Sequence, residues 1–251
     1  MLKQDYILHV QPDTNSLNRT AADYWLAQAI HSIECYGSFH VALTGGSSPI
    51  ELYHLLTTTE YAEKLNWQYI HIYLGDERYV PHNHADSNFG MARKNLLDHI
   101  PVPVENLHPI PTSYEQAFEA AVKYEQTLQQ YLPKDPNGFP QFDLIMLGMG
   151  DDGHTASLFP ETEILQQFDK QVDAVYVQKL ASWRISLTYP CLNHARQIMF
   201  MVKGENKSEI LKQVLTENSP MQYPVQAVLA SEQTHWFIDQ AAASQLDSSS
   251  D

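Results

Sequence analysis

Three times in this sequence a short apolar run of strand character opens directly into a glycine-bearing loop. Phe39-His-Val-Ala-Leu-Thr44 leads into Gly45-Gly-Ser-Ser-Pro49, and Trp67-Gln-Tyr-Ile-His-Ile-Tyr-Leu74 leads into Gly75-Asp-Glu-Arg78. Phe142-Asp-Leu-Ile-Met-Leu147, nearly continuous in its apolar character as buried parallel strands tend to be, leads into Gly148-Met-Gly-Asp-Asp-Gly-His154. Segments of helical periodicity lie between the runs. This alternation is the pattern of a parallel sheet with crossover helices. The fold class it predicts is α/β, a mostly parallel, Rossmann-like sheet with helices on both faces.

The remaining elements follow from spacing. Ala21, Ala22, Trp25, Leu26, Ala29, Ile30 and Ile33 predict an amphipathic helix closed by Gly37. Pro49 suits the first turn of a short helix through Leu56, with Ser47 or Ser48 as its cap. A further helix is expected from Ser87 or Asn88 to Leu97, and another from Asn206 to Leu215. One from Tyr114 to Leu132 carries Ala117, Ala121, Tyr124, Leu128 and Leu132 on one stripe. Later strands are expected at Val172–Val177, Arg184–Thr188, Gln197–Val202, Ala227–Leu229 and His235–Ile238. No repeat or linker divides the 251 residues, so residues 1–244 are expected to form one domain, with 245–251 a frayed Ser/Asp-rich tail.

Charge narrows the partners. The net charge of −15, from 30 acidic and 15 basic residues, repels nucleic acid and acidic membrane surfaces. No apolar run reaches the ~18 residues of a membrane helix, and the N-terminus lacks a secretory pattern, so a cytoplasmic location is expected. Cys35 and Cys191 form no framework and are read as small buried side chains. Trp25, Trp67, Trp183 and Trp236 are read as core or edge packing. Basic residues are scarce, so where they fall is informative.

In open parallel sheets ligands bind outside the carboxyl ends of strands, which is where all three loops fall. Gly45 and Gly46 let backbone approach a ligand, and the helix after them offers free N–H groups, a phosphate-binding geometry that a plain tight turn would also explain. The sequence fits neither a P-loop nor a dinucleotide fingerprint. In the second loop, carboxylates beside Arg78, trailed by Asp86-Ser-Asn88, could hold hydroxyls and a phosphate, or form a surface ion-pair cluster. In the third, three glycines bring an aspartate pair and His154 to a strand end. Such an imidazole can move protons, with a carboxylate fixing its tautomer, or it can cap the next helix. His82-Asn-His84 has metal-like spacing without a supporting Cys or Glu cluster, so no metal site is expected.

Together these segments resemble the 6-phosphogluconolactonase family over nearly the whole chain. The resemblance rests on Leu43-Thr-Gly-Gly-Ser-Ser-Pro49, Gly75-Asp-Glu-Arg-Tyr-Val-Pro81, Asp86-Ser-Asn88 and the stretch from Gly148 to Pro160. It continues through Arg184-Ile-Ser-Leu-Thr188 and Gly204-Glu-Asn-Lys207. Ser48 stands where the family usually has Thr, and Asp151 fills a slot that is often Pro. The related glucosamine-6-phosphate deaminases share the first and third loops, but carry a catalytic glutamate where Phe159 stands and a tyrosine where Arg78 stands.

The resemblance implies hydrolysis of 6-phospho-D-glucono-1,5-lactone in the oxidative pentose phosphate pathway, without cofactor or metal. It makes His154 the general acid/base and Asp152 its orienting carboxylate. Arg78, Arg184 and Lys207, with Gly45, Gly46 and Ser47, would neutralise the 6-phosphate. Asp76 and Asn88 would meet sugar hydroxyls, and the Gly150 and Gly153 backbone would face the oxyanion. Lys207, at a helix start where the dipole disfavours a cation, would fit an anion between. The implied partner is the small sugar-phosphate lactone, with the chain a monomer or weak homo-oligomer. The alternatives are a glucosamine-6-phosphate deaminase/isomerase-like enzyme and a non-catalytic sugar-phosphate sensor.

Overall fold

The computed structural model describes residues 6–216 and 222–246. Its strands are β1 (Tyr6–Gln11), β2 (Phe39–Leu43), β3 (Ile70–Leu74), β4 (Asp76–Arg78), β5 (Leu107–His108), β6 (Leu144–Leu147), β7 (Val172–Val177), β8 (Ser182–Leu187), β9 (Gln197–Val202) and β10 (Gln233–Asp239). Its helices are α1 (Thr14–Tyr36), α2 (Ile50–Thr57), α3 (Thr59–Ala62), α4 (Asn88–Asn95), α5 (Ala117–Tyr131), α6 (Tyr189–His194) and α7 (Ser208–Leu215). Seven strands form one sheet in the order β1-β10-β9-β6-β2-β3-β5, and every pairing within it is parallel. The α/β class read from the sequence is therefore the observed one.

A second, antiparallel sheet of order β4-β8-β7 is not evident in the sequence. Residues Asp76–Arg78 read as loop because a strand of three polar residues has no apolar alternation. Gly75 joins the two sheets: its N–H donates to Leu43 O at 2.9 Å in β2, and its carbonyl accepts from Leu187 N at 3.0 Å in β8.

Helical spacing is a good guide wherever it is sustained. Ala117, Ala121, Tyr124 and Leu128 of α5, with Leu132 just beyond it, are all buried, as the stripe requires. Gly37 closes α1 in the left-handed region at φ 86°. The N-terminus of α2 differs: Pro49 is the cap position itself and no side chain caps the helix, so neither Ser47 nor Ser48 plays that part.

The strand expected at Ala227–Leu229 is absent; a 3-10 turn spans Pro224–Ala227. The outer edge of β10 is already taken by β1, and the Asn193 side chain satisfies Ala227 O and Leu229 N instead. Cys35 is exposed on α1, unlike the buried Cys191, and Trp183 is 47% exposed while the other three tryptophans are buried. Gln245 donates to Ser208 Oγ and Leu246 packs on the core; the rest of the Ser/Asp-rich tail lies outside the described residues. Among the described residues no helix is long and apolar enough to cross a membrane.

Five imidazoles lie across the sheet. His40 and His71 are register partners with rings 4.6 Å apart, and His71 Nδ1 lies 3.3 Å from His108 Nε2. His9 Nε2 lies 3.0 Å from His235 Nδ1. Burial lowers all five, His40 to about 3 and His108 and His235 to about 4. Unfolded, these rings take up protons near pH 6.5, whereas folded they stay neutral to much lower pH, so their share of stability is full above 6.5 and lost as pH falls. Asp143, pushed up to about 6 by burial, acts in the opposite sense, since its share is lost as pH rises through 6. The histidines outnumber it. The thermal midpoint should therefore fall steadily from pH 6.5 to pH 4, and His108→Gln should flatten that slope in a pH series of melting curves.

Candidate active site

Sheet order turns three separate loops into one site. From β2 the chain builds outward through β3 to β5, then returns to place β6 on the other side of β2 and continues to β9 and β10. The reversal falls between β2 and β6, and the crevice beyond such a point is where open α/β sheets bind ligands. The loops after β3, β2, β6 and β9 thus emerge side by side. Two buried tyrosines pin the strand ends. Tyr53 donates to Thr44 O at 2.7 Å and accepts from its N–H at 3.2 Å, and Tyr124 does the same at Leu74.

Asp76 and Asn88 tie the loops together. Asn88 Nδ2 donates to Asp76 O at 2.9 Å and to Asp76 Oδ1 at 3.1 Å, while Asp76 Oδ2 accepts from Ser157 Oγ at 2.6 Å. Gly45 lies so close that a methyl there would sit 1.9 Å from Asn88 Oδ1. These side chains, both buried, join the first, second and third loops and bond to one another. Beneath them Glu77, fully buried, accepts from Ser87 Oγ and from the N–H groups of Arg78, Asn88 and Phe89 at 2.7–2.9 Å. Burial pushes its carboxyl up despite those four donors. Glu77 thereby fixes the start of α4 and the position of Asn88.

The third loop carries a histidine–aspartate dyad. His154 Nδ1 lies 2.5 Å from Asp152 Oδ1, which leaves Nε2 as the ring nitrogen available to a water. The imidazole stacks on Phe159 at a centroid distance of 4.0 Å. A methyl at Gly150 would lie 2.0 Å from His154 Nδ1, so this position must be glycine for the ring to lie where it does. Gly150 N donates to His154 O and Gly153 N to Gly150 O, so both amides close the loop on itself and neither is a free oxyanion donor. Gly153 has a positive φ of 71° and packs against Tyr223. No helix follows for His154 to cap; the next segment is turns and a short 3-10 helix from Glu163.

The acid-rich chain gathers cations here. Arg78 and Arg184 are register partners on β4 and β8, and the Nε atoms of both are buried without a hydrogen-bond partner. Burial and the neighbouring Arg78 both lower Arg184, the signature of two guanidinium groups held together against repulsion. Arg78 Nη1 is held by Asp86 O at 2.7 Å. Gly46, at φ 80°, and Ser47 are exposed at the mouth of the first loop. Lys207, at the cap position of α7, turns to the third loop instead: Nζ lies 2.9 Å from Met149 O and 2.5 Å from Asp151 Oδ1, which offsets the unfavourable helix dipole within the protein itself.

Three contributors are not apparent in the sequence. Lys203 Nζ reaches Ser48 O at 3.3 Å, Lys179 pairs with Asp152 Oδ2, and Glu77 supports Asn88. Scarcity of basic residues is the only sequence signal that could have drawn attention to the two lysines. His82 and His84 are engaged locally, with Ile110 O and with Asp86 N.

The arrangement defines an α/β protein with an imidazole–carboxylate pair and a cluster of cations at the switch point of its sheet. The sequence model of the glucosamine-6-phosphate isomerases/6-phosphogluconolactonase family matches residues 12–236. The chain is 40% identical over 240 residues to a 6-phosphogluconolactonase of a Nostoc strain, covering 95% of this chain and 98% of that one. A solved 6-phosphogluconolactonase from Trypanosoma cruzi is similar with a TM-score of 0.86 at 26% identity, covering 98% of each chain. A monomeric glucosamine-6-phosphate deaminase shares the fold at TM-score 0.80 and 18% identity, over 95% of this chain and 99% of its own. The chain belongs to the glucosamine-6-phosphate isomerase/6-phosphogluconolactonase family.

Contact between Gly45 and Asn88 should be measurable as coupling. Gly45→Ala should destabilise by about 1–3 kcal/mol through overpacking, read from denaturant melts. In an Asn88→Ala background, where the obstructing amide is gone, the same change should be much milder.

Proposed function

We propose that this chain hydrolyses 6-phospho-D-glucono-1,5-lactone to 6-phospho-D-gluconate in the oxidative pentose phosphate pathway, with His154 as general acid/base. The observation that carries the reading is the dyad on its aromatic floor. His154 is oriented by Asp152 and stacked on Phe159, at the position where the deaminases of this family place a ring-opening glutamate. An apolar ring there supplies no second carboxylate for amine and ring-opening chemistry. Lactone hydrolysis needs none, because the ester carbon is already electrophilic.

In the proposed reaction Nε2 of His154 takes a proton from water as the oxygen attacks C1. Asp152, on Nδ1, fixes the tautomer and stabilises the resulting imidazolium. The tetrahedral intermediate collapses with breakage of the C1–ring oxygen bond, and the imidazolium returns its proton to that oxygen. No covalent nucleophile is required. Asp152 stays ionised throughout: burial raises its carboxyl, but hydrogen bonds from Lys179 and His154 outweigh that and hold it at about 2.

The 6-phosphate is assigned to the Arg78–Arg184 pair together with the Gly45-Gly46-Ser47 turn. A dianion would satisfy both buried Nε atoms and relieve the repulsion between the guanidinium groups. Lys207 and Lys203 hold the third and first loops, a supporting part closer to their observed contacts than direct phosphate binding. Residues 1–244 are taken as one catalytic unit acting in the cytoplasm, as a monomer or weak homo-oligomer.

A lactone-hydrolysis assay with a pH indicator tests the reading, and ammonia release from glucosamine 6-phosphate would reveal the deaminase instead. His154→Asn should lower kcat by roughly 10²–10⁴-fold while product binding, measured by calorimetry, stays intact. Arg78→Ala should raise KM for the phosphorylated lactone and have little effect on unphosphorylated gluconolactone. Unchanged turnover in the His154 variant would remove the assignment.

A further inference from the structure

We propose that Lys179 is a positioning residue for the hydrolysis, locking the Asp152 carboxylate between two partners and offsetting its charge so that His154 remains a proton acceptor. This rests on the reading of His154 as the base.

Lys179 belongs to the 3-10 turn Gln178–Leu180 that joins β7 to β8, far in sequence from the third loop. Ala181 closes that turn in the left-handed conformation at φ 44°, which sends the chain directly into β8. The Lys179 ammonium pairs with Asp152 Oδ2 while His154 Nδ1 takes Oδ1. The same ammonium lies 4.7 Å from the centre of the Phe159 ring, and that ring is the floor under the imidazole. Asp152 and Phe159 thus each touch both Lys179 and His154, in a closed circuit of four side chains.

The circuit addresses a conflict in the chemistry. A carboxylate on Nδ1 stabilises the imidazolium, which helps the transition state but also favours protonation of the resting base. A cation on the far oxygen of that carboxylate tempers this stabilisation, keeping the resting ring neutral to lower pH, and leaves the orientation intact. Other ionisable groups face the circuit: Glu161, Glu163 and Tyr176 line the groove that Asp152, Phe159 and Lys179 share, and Tyr223 packs on Gly153. Asp151, next in the chain, is taken up by Lys207. Removing Lys179 would leave Asp152 Oδ2 without its cation. The ammonium is half exposed, so its pairing adds little to global stability, and its effect falls on the ring.

The test follows the His154 ring by NMR titration of the full chain, the signal being assigned by its loss in His154→Gln, alongside the pH profile of lactone hydrolysis. In Lys179→Met the pH at which the ring takes up its proton should rise by about one unit relative to the parent, and the acid limb of kcat/KM should rise with it. The melting temperature should stay close to the parent's, and Lys179→Arg should bring both curves back towards it. A ring midpoint that stays put or falls, or a KM increase without a midpoint change, would overturn the proposal. If the midpoint moves as stated while the parent fails to hydrolyse the lactone, the coupling stands and the lactonase reading falls.

Discussion

The site depends on the hydrogen-bonded pair Asp76–Asn88. Strand ends alone set only the approximate neighbourhood of three flexible turns. What fixes their mutual position is one amide, pressed against Gly45 on one side and bonded to a carboxylate on the other, with Ser157 on that carboxylate's second oxygen. The buried Glu77 secures the amide from below through the first N–H groups of α4. Every later feature, the arginine pair on β4 and β8 and the dyad on the third loop, is referenced to this knot.

Electrostatics runs against the composition. A chain carrying net charge −15 brings five of its fifteen basic residues into or against these loops. Lys179 and Lys207 pair with carboxylates of the third loop, and Lys203 donates to a carbonyl of the first. The two arginines differ: their buried Nε atoms lack partners, and burial together with the neighbouring Arg78 lowers Arg184. An unpaired cationic couple held inside an acidic protein is an arrangement that a bound dianion would complete.

Much of the framework could be read from the residues. Apolar runs, glycine punctuation and the stripe on α5 gave strands and helices because each signal is local and its period is long enough to be unambiguous. What escaped notice depends on contacts between distant segments. Asp76–Arg78 becomes a strand only because β8 lies beside it, and Ala227–Leu229 fails to become one because β1 occupies the available edge. The bonds that join Asp76 to Asn88 and to Ser157 were likewise not legible, because they link three separate segments of the chain. Lys179 could not have been placed, as nothing between Val177 and Arg184 indicates which loop the turn would face.

Phe159 has a consequence for how readily one chemistry in this family can pass into another. Its ring lies against both the imidazole and the Lys179 ammonium. Introducing a glutamate there would add a carboxylate and at the same moment withdraw the ring on which the imidazole and the ammonium rest. A route from lactonase to deaminase therefore does not run through that single exchange; it needs a new support for His154 first, which separates the two branches by more than one step.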